Sequence, residues 1–479
     1  MRAALLPGLW MLSASLFAQE RYGLLHSNYA GMDAIVLNPA RAAGQWPWMD
    51  IRLAGAEAYA WNSLVAWTDR RSPLITEVRN GFEGMENGRV VMRSLDFQRS
   101  HRATVTAAAS GPAVSLSLGR GTLSAGIRTR AHVSASGISR EIGNFILNGL
   151  DHAPQHGIRY DARGMRVLGA GWTETGVNYA HILHARGFSL FSAGVGVRYL
   201  MGHTAGALQI TSLDHTVYDS ARLDLHSITA RYGYAEPSLS AGRGFGGDVG
   251  FVYERTLSEV DGYRPHKDGS CTPMEYRYRI GLSVIDLGGI RFADAAAGTL
   301  DTGALSIADY NGIDLDGAEA VDSLLASATN WSRRRNLAIG MPTAVSLQYD
   351  QRIAEHAYVA LAAVHGLSGR NGLRLRRANS LAITPRFETR YVEFALPVVL
   401  NEYDLSRPMI GAMLRMHGLV LGSDHILPFI SKRDVHAMDL YVRVRWLIYR
   451  SPACRKGGGR SIIHRGKARD MMPCSEPGS

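Results

Sequence analysis

The sequence predicts an all-β chain closed into an antiparallel transmembrane barrel, and three observations predict it. Long runs alternate apolar and polar residues with a period of two. After the first 20 positions there is no apolar run of about 20 residues, the length a spanning helix needs, although 46% of the 479 residues are apolar. The N-terminus reads as a secretory leader, and no catalytic motif follows it.

The leader comes first in the chain. Met1-Arg2 is a minimal basic start, Ala3 to Phe17 is largely apolar, and Ala18 precedes the polar Gln19-Glu20. This pattern predicts a signal peptide over 1–18, with cleavage after Ala18 and a mature chain outside the cytoplasm.

The strands follow. Leu123, Ala125, Ile127, Thr129, Ala131, Val133 and Ala135 fall on one face of a strand. Ser124, Gly126, Arg128, Arg130, His132 and Ser134 fall on the other. Val114, Leu116 and Leu118 alternate with small polar residues just before it, and Gly119-Arg120-Gly121 signals a tight turn, so the two runs predict a long hairpin. The same alternation recurs at Val195–Tyr199, Val249–Tyr253, Ile280–Val284, Val345–Tyr349 and Leu440–Ile448. Further candidate strands are 51–61, 102–109, 165–183, 358–365, 386–398 and 409–417. A transmembrane strand needs about 9–11 residues, and several of these runs reach that length. In a barrel the apolar face meets lipid and the polar face lines the lumen, and closure removes the edges that lipid cannot solvate. A mean hydropathy of -0.08 is the average of those two faces. A soluble secreted β-rich protein would show the same alternation with its polar face in water.

The longer polar segments, 137–164, 202–240, 255–275, 292–338 and 366–385, are expected to be loops, with a short helix over 318–328. Trp46, Trp48, Tyr59, Trp61, Trp67, Trp172, Tyr179, Tyr391 and Trp446 are candidates for interfacial aromatic girdles. Residues 451–479 form a basic, Gly-rich tail with the composition of a disordered segment. Of three cysteines, Cys454 and Cys474 are close enough in sequence to pair, leaving Cys271 over, and three unpaired cysteines are an equal alternative.

Charge and motifs exclude other classes. The net charge is +10, from 52 basic and 42 acidic residues, and Lys occurs only at Lys267, Lys432, Lys456 and Lys467. No helix-turn-helix, zinc-finger spacing or RNA-binding aromatic motif accompanies it, so no nucleic acid is expected as a partner. No nucleophile elbow, zinc-protease motif or phosphate loop is present, so the chain is read as no enzyme, with no cofactor and no metal site. Gly242 to Gly247 is Gly-rich, but it leads into a strand and not a helix, which removes the phosphate-cradling geometry.

The segment His26-Ser27-Asn28-Tyr29-Ala30-Gly31-Met32, followed by Asn38-Pro39-Ala40, resembles the start of FadL-like outer-membrane barrels. The runs 241–254, 278–292, 341–350, 384–400 and 418–430 resemble one branch of these barrels, related to the PorV-like ones and known mainly as a domain of unknown function. The resemblance covers most of residues 24–448 and implies about 14 strands, with 12–16 allowed. It implies an N-terminal hatch over 19–47 built on Asn38, Pro39 and Ala40, and a barrel over 48–450. It also implies passive movement of hydrophobic molecules or, as in related secretion barrels, an adaptor role. One departure is the thirty residues after Tyr449, where such barrels usually end on the last strand.

A polar constellation is expected in the lumen. Glu388 and Arg390 share one strand face, Arg415 and His417 a second, and Asp439, Arg443 and Arg445 a third. If these strands are consecutive, they form an Arg-rich ladder. A buried charge must be paired, so a salt-bridge network is favoured there over an anionic-ligand site. The expected function is a channel for hydrophobic or amphipathic small molecules. The alternatives are an envelope adaptor or scaffold and a soluble secreted protein. The expected partners are outer-membrane lipid, a hydrophobic ligand and envelope proteins.

Overall fold

The computed structural model describes residues 21–456 apart from 70, 81–89, 96–99, 151, 268–270, 304, 308–331, 368–371 and 433. The leader, the 318–328 helix and Cys474 lie outside the described residues. Among the described residues no helix is long and apolar enough to cross a membrane.

Strands do the crossing. A 14-strand antiparallel ring runs β1 (Met49–Asn62), β2 (Ser100–Leu118), β3 (Gly121–Ser139), β4 (Arg159–Arg186), β5 (Ser189–Val217), β6 (Gly242–Thr256) and β7 (Tyr276–Phe292). It continues through β8 (Ala344–Arg352), β9 (Ala357–Gly366), β10 (Ser380–Glu388), β11 (Val392–Ala395 and Val398–Asn401), β12 (Met409–Ile410 and Ala412–Met416), β13 (Leu419–Ser423) and β14 (Ala437–Ile448). β1 pairs with both β2 and β14, Met49 lying opposite Leu116 and Ile448, and this closes the ring.

The alternation decides the faces. Leu123, Ile127 and Val133 point out while Ser124, Arg128 and His132 are buried inside. Val195, Phe251, Leu282, Leu347, Leu361, Ile383 and Leu421 continue the outward belt. A soluble protein rarely exposes an apolar surface of this extent, so the soluble alternative fails and the belt is a lipid face.

The two rims differ. Turns 119–120, 187–188, 353–356, 389–391 and 417–418 are short and lie at the rim where β1 begins and β14 ends. The opposite rim carries the long connections, which in bacterial barrels face outward from the cell. Gly119 of the first hairpin turn has φ +85°, a conformation that suits a residue without a Cβ.

Several expectations are corrected. The run 386–398 is not one strand: β10 stops at Glu388, the chain turns over Thr389-Arg390-Tyr391, and β11 starts at Val392. Residues 202–240 are not a loop, since β5 continues to Val217 and a strand returns over Leu223–Ala235. Those halves project beyond the ring, where neither face meets lipid and the clean alternation is no longer required. Of the girdle candidates, Tyr59, Trp61 and Trp172 are buried inside, while Tyr179, Tyr391 and Trp446 point outward. The row Tyr253–Tyr278–Tyr349, with ring centroids 6.2 and 6.3 Å apart, lies at the short-turn rim.

The disulfide joins Cys271 to Cys454 across 183 residues of sequence. The connection between β6 and β7 is the long exception at the short-turn rim. It folds back beside the helix Pro452–Lys456 that follows β14, and Ser451 Oγ donates to the His266 carbonyl at 2.6 Å. This spatial proximity brings together cysteines that sequence distance separates. The tail therefore starts with an anchored helix.

Candidate functional site in the lumen

Residues 21–48 do not join the sheet. They form Tyr22–Leu25 and two 3-10 turns, Gly31–Val36 and Pro39–Gly44, and lie mostly buried inside the ring. Tyr22, Leu25 and Leu37 pack with Tyr59, Trp61, Val364, Val399 and Met409 of the inner wall.

Asn38 has two tasks that its amide alone can combine. Its Oδ1 accepts from Ala40 N at 3.0 Å and caps the turn that Pro39 begins. Its Nδ2 donates to the Phe251 carbonyl and to Gln348 Oε1, both at 3.1 Å. Asn178 Nδ2 donates to the Pro39 carbonyl at 3.3 Å, and Ser283 Oγ to the Leu37 carbonyl at 2.6 Å. The wall here is built of glycine. Gly194 and Gly250 are register partners, and a Cβ on them would lie 2.4 Å from Ala40 N and 2.2 Å from Asn38 Oδ1.

Charged side chains hold the rest of the segment. Arg443 Nε donates to Asp33 at 3.1 Å and also pairs with Glu57, which Arg21 pairs with as well. Arg445 grips Asp50 with two bonds of 3.1 and 2.8 Å and donates to the Tyr29 carbonyl at 2.8 Å. Glu388 accepts from Asn28 N at 3.2 Å and from Arg386 Nε at 3.0 Å. Glu393 accepts from Ser27 Oγ at 2.6 Å and from Arg415 Nε at 2.9 Å. Removing one partner of such a pair strands a buried charge, at a cost of about 3–5 kcal/mol.

The structure thus brings Glu388, Arg415, Asp439, Arg443 and Arg445 to the lumen, all buried. Asp439 accepts from the backbone N of Asp424. Arg390 and His417 are corrected: both are exposed and sit in the short turns. The guanidinium of Arg390 covers the Tyr449 ring at 4.2 Å, and His417 rests on Tyr391 at 4.9 Å. The period-two count carried them past strand ends, and His417 has a left-handed φ of 52° that ends the alternation. The ladder also has two extra strands in it, β11 between Glu388 and Arg415 and β13 between Arg415 and Arg443. Glu388, Glu393 and Arg415 are successive partners, then Val420 of β13 intervenes before Arg443.

The sequence reading missed a second charged layer. Asp286 receives Arg130 through bonds of 2.8 and 3.1 Å, Arg198 at 3.0 Å and Arg377 at 2.7 Å. It occupies a bulge in β7 with φ 54°, where the register to β6 slips between Val284 and Leu287. Ile285 and Asp286 are both buried and break the alternation. That phase slip in Val284-Ile285-Asp286-Leu287 was the one available signal. Glu174 joins the layer through Arg130 at 3.5 Å and Arg198 at 3.8 Å, and also pairs with Arg128 at 3.0 Å.

Residues 372–379 cross the long-loop mouth from β9 towards β3, which stands on the opposite side of the ring. Arg376 N donates to Ser134 Oγ at 3.1 Å, and His132 Nε2 meets the Arg376 carbonyl at 2.8 Å. Leu373 and Leu375 pack with Leu168, Trp172, Leu200, Ile290 and Phe292. A cavity of about 50 Å³ remains between this strap and the N-terminal segment, lined in part by Arg21, Glu57, Arg128, Arg130 and Arg377. At the same mouth His425 and His436 lie 5.6 Å apart, and burial holds both below the ordinary histidine range, His425 at about 3.

A family model described as a family of unknown function (DUF5723) matches residues 85–424. No curated protein matches the chain. Among solved structures, a mutant of the TodX monoaromatic hydrocarbon channel aligns at 10% identity and TM-score 0.40, over 87% of this chain and 94% of that one. The P. putida toluene transporter TodX aligns at 9% identity and TM-score 0.37, over 87% and 92%. The Ralstonia pickettii toluene transporter TbuX aligns at 9% identity and TM-score 0.24, over 91% and 99%.

Proposed function

Since the chain belongs to the DUF5723 family of unknown function, its role must be read from its own barrel, and we propose that it is an outer-membrane channel for hydrophobic or amphipathic small molecules, held shut by residues 21–48. One observation carries this reading. The N-terminal segment is attached by side chains and by the glycine wall at Gly194 and Gly250, and it contributes no strand to the ring. Apart from the bond from Ser117 N to the carbonyl of its last residue, Trp48, it can therefore leave the lumen without breaking a ladder hydrogen bond. Its departure exposes charged groups to water, and their rehydration offsets much of the lost pairing. The mechanism is passive, with Asn38, Pro39 and Ala40 as the hatch contact and no enzymatic step.

Loss of lipophilic-substrate uptake in a strain lacking the protein, restored by the intact gene, supports this reading. An unchanged uptake rate refutes it.

The adaptor reading is favoured by a different observation. The lumen holds chain from both mouths, with a cavity of about 50 Å³ between them, and β4, β5 and Leu223–Ala235 project beyond the ring as a docking platform. Stoichiometric envelope partners co-purifying after detergent extraction, with no change in uptake, would select it.

A further inference from the structure

Arg243 on β6 and Arg291 on β7 are register partners and both are exposed. They point outward, because they continue the outward series Tyr253, Phe251, Val249 and Phe245 on β6 and Ile280, Leu282, Leu287 on β7. Like charges directly opposite on antiparallel strands destabilise the pair. Among the described residues neither guanidinium has a carboxylate within ion-pair distance. The next residues in the same row, Met201 and Ala338, carry no charge to relieve them. Two unpaired arginines side by side therefore need an outside counter-charge.

Their height says what supplies it. From Tyr253, in the aromatic row at the short-turn rim, to Arg243 is ten residues of β6. At a rise of about 3.3 Å and a strand tilt near 40° this is roughly 25 Å, the height of the apolar band of an outer-membrane barrel. Tyr199 and Phe245, with ring centroids 5.7 Å apart, stand one outward position below Arg243. The arginines thus sit where the lipid headgroups of the outer leaflet begin. Phosphate is the anion of that layer, and two planar guanidinium forks can grip its oxygens together.

We propose that Arg243 and Arg291 form a binding site for the phosphate of an outer-leaflet lipid headgroup. The site is independent of the lumen and of whether the barrel conducts. It requires only the membrane orientation given by the belt.

The test is binding of phosphatidic acid to the detergent-purified full chain, read by native mass spectrometry and by its effect on the melting temperature in phosphatidylcholine vesicles. Each of Arg243→Gln and Arg291→Gln is expected to weaken lipid binding about fivefold, from about 1 kcal/mol per arginine at an anionic surface. The double variant should lose both increments. Arg277→Gln, an exposed arginine near the opposite rim, should leave binding unchanged. Unaltered heat-modifiable migration checks that the variants are folded, and Arg243→Lys keeps the charge without the fork. Unchanged binding in the double variant overturns the site. An equal loss in Arg277→Gln also overturns it, because the attraction is then diffuse. Inorganic phosphate binding as tightly as the lipid overturns the headgroup assignment.

Discussion

The lipid face can be tested at one residue whose depth is known. Leu282 points outward from β7, 50% exposed, between its register partners Phe251 and Leu347. It lies four residues above Tyr278 of the interfacial row, or about 10 Å along the normal at the same rise and tilt, close to the midplane. Replacing it with arginine puts a cation where lipid cannot solvate it and where neither partner offers a carboxylate. Leu282→Arg should destabilise the barrel by about 2–4 kcal/mol. Val444 is a built-in comparison: it is also outward, but its neighbour Arg445 bonds the carbonyl of Gly418 in a short turn at 2.8 Å. Val444→Arg can reach the interface and should cost about 0–1 kcal/mol, less than its place in the sequence alone would suggest. Reversible urea unfolding in lipid vesicles measures both, with Leu282→Ala as the control for lost packing. Equal costs for the two arginine variants, or a Leu282→Arg cost below about 1 kcal/mol, would refute the assigned belt.

Gly250→Val drives a side chain into the space of Asn38. It should raise the basal permeability of liposomes several-fold while leaving the unfolding midpoint nearly unchanged, and a sealed variant would count against release of the N-terminal segment. Cys271→Ser should lower stability by roughly 2–5 kcal/mol under oxidising conditions, and reduction of the wild type should reproduce that loss. The pH dependence follows from His425. Its folded pKa, at about 3, lies below the unfolded value of about 6.5, so the unfolded chain binds the extra proton. Stability is then flat above about pH 6.5 and falls as the pH drops, by about 2 kcal/mol at pH 5 for this one group. Unfolding midpoints taken across that range should show the fall, and His425→Asn should flatten it. A slope unchanged in the variant would assign the effect elsewhere.

How much of this was legible varies with the range of the interaction. The hairpin of β2 and β3 and the outward series of β5, β6 and β7 follow from residues two apart, and the alternation placed them on the right faces. The same rule failed where a turn interrupted it. Arg390 and His417 were counted as strand residues because nothing in their spacing marks the bends at Thr389–Tyr391 and at His417-Gly418. The rule also had nothing to say beyond the membrane, where the far halves of β4 and β5 are strands with no lipid to enforce an apolar face. Cys454 found Cys271 and not Cys474, which is nearer to it in sequence, because a folded connection and a helix after the last strand put Cys271 and Cys454 within reach.

The sequence by itself determined which side chains share a face within a strand, since alternation is a property of each strand alone. It also determined that the lumen would be charged and needed internal pairing. The tertiary structure decided the partners: Arg443 with Asp33, Arg445 with Asp50, and three arginines around Asp286. Those choices depend on strand number, register and where the N-terminal segment lies inside the ring. All are non-local, because residues such as Asp33 and Arg443 meet across a closed barrel after more than four hundred positions of chain.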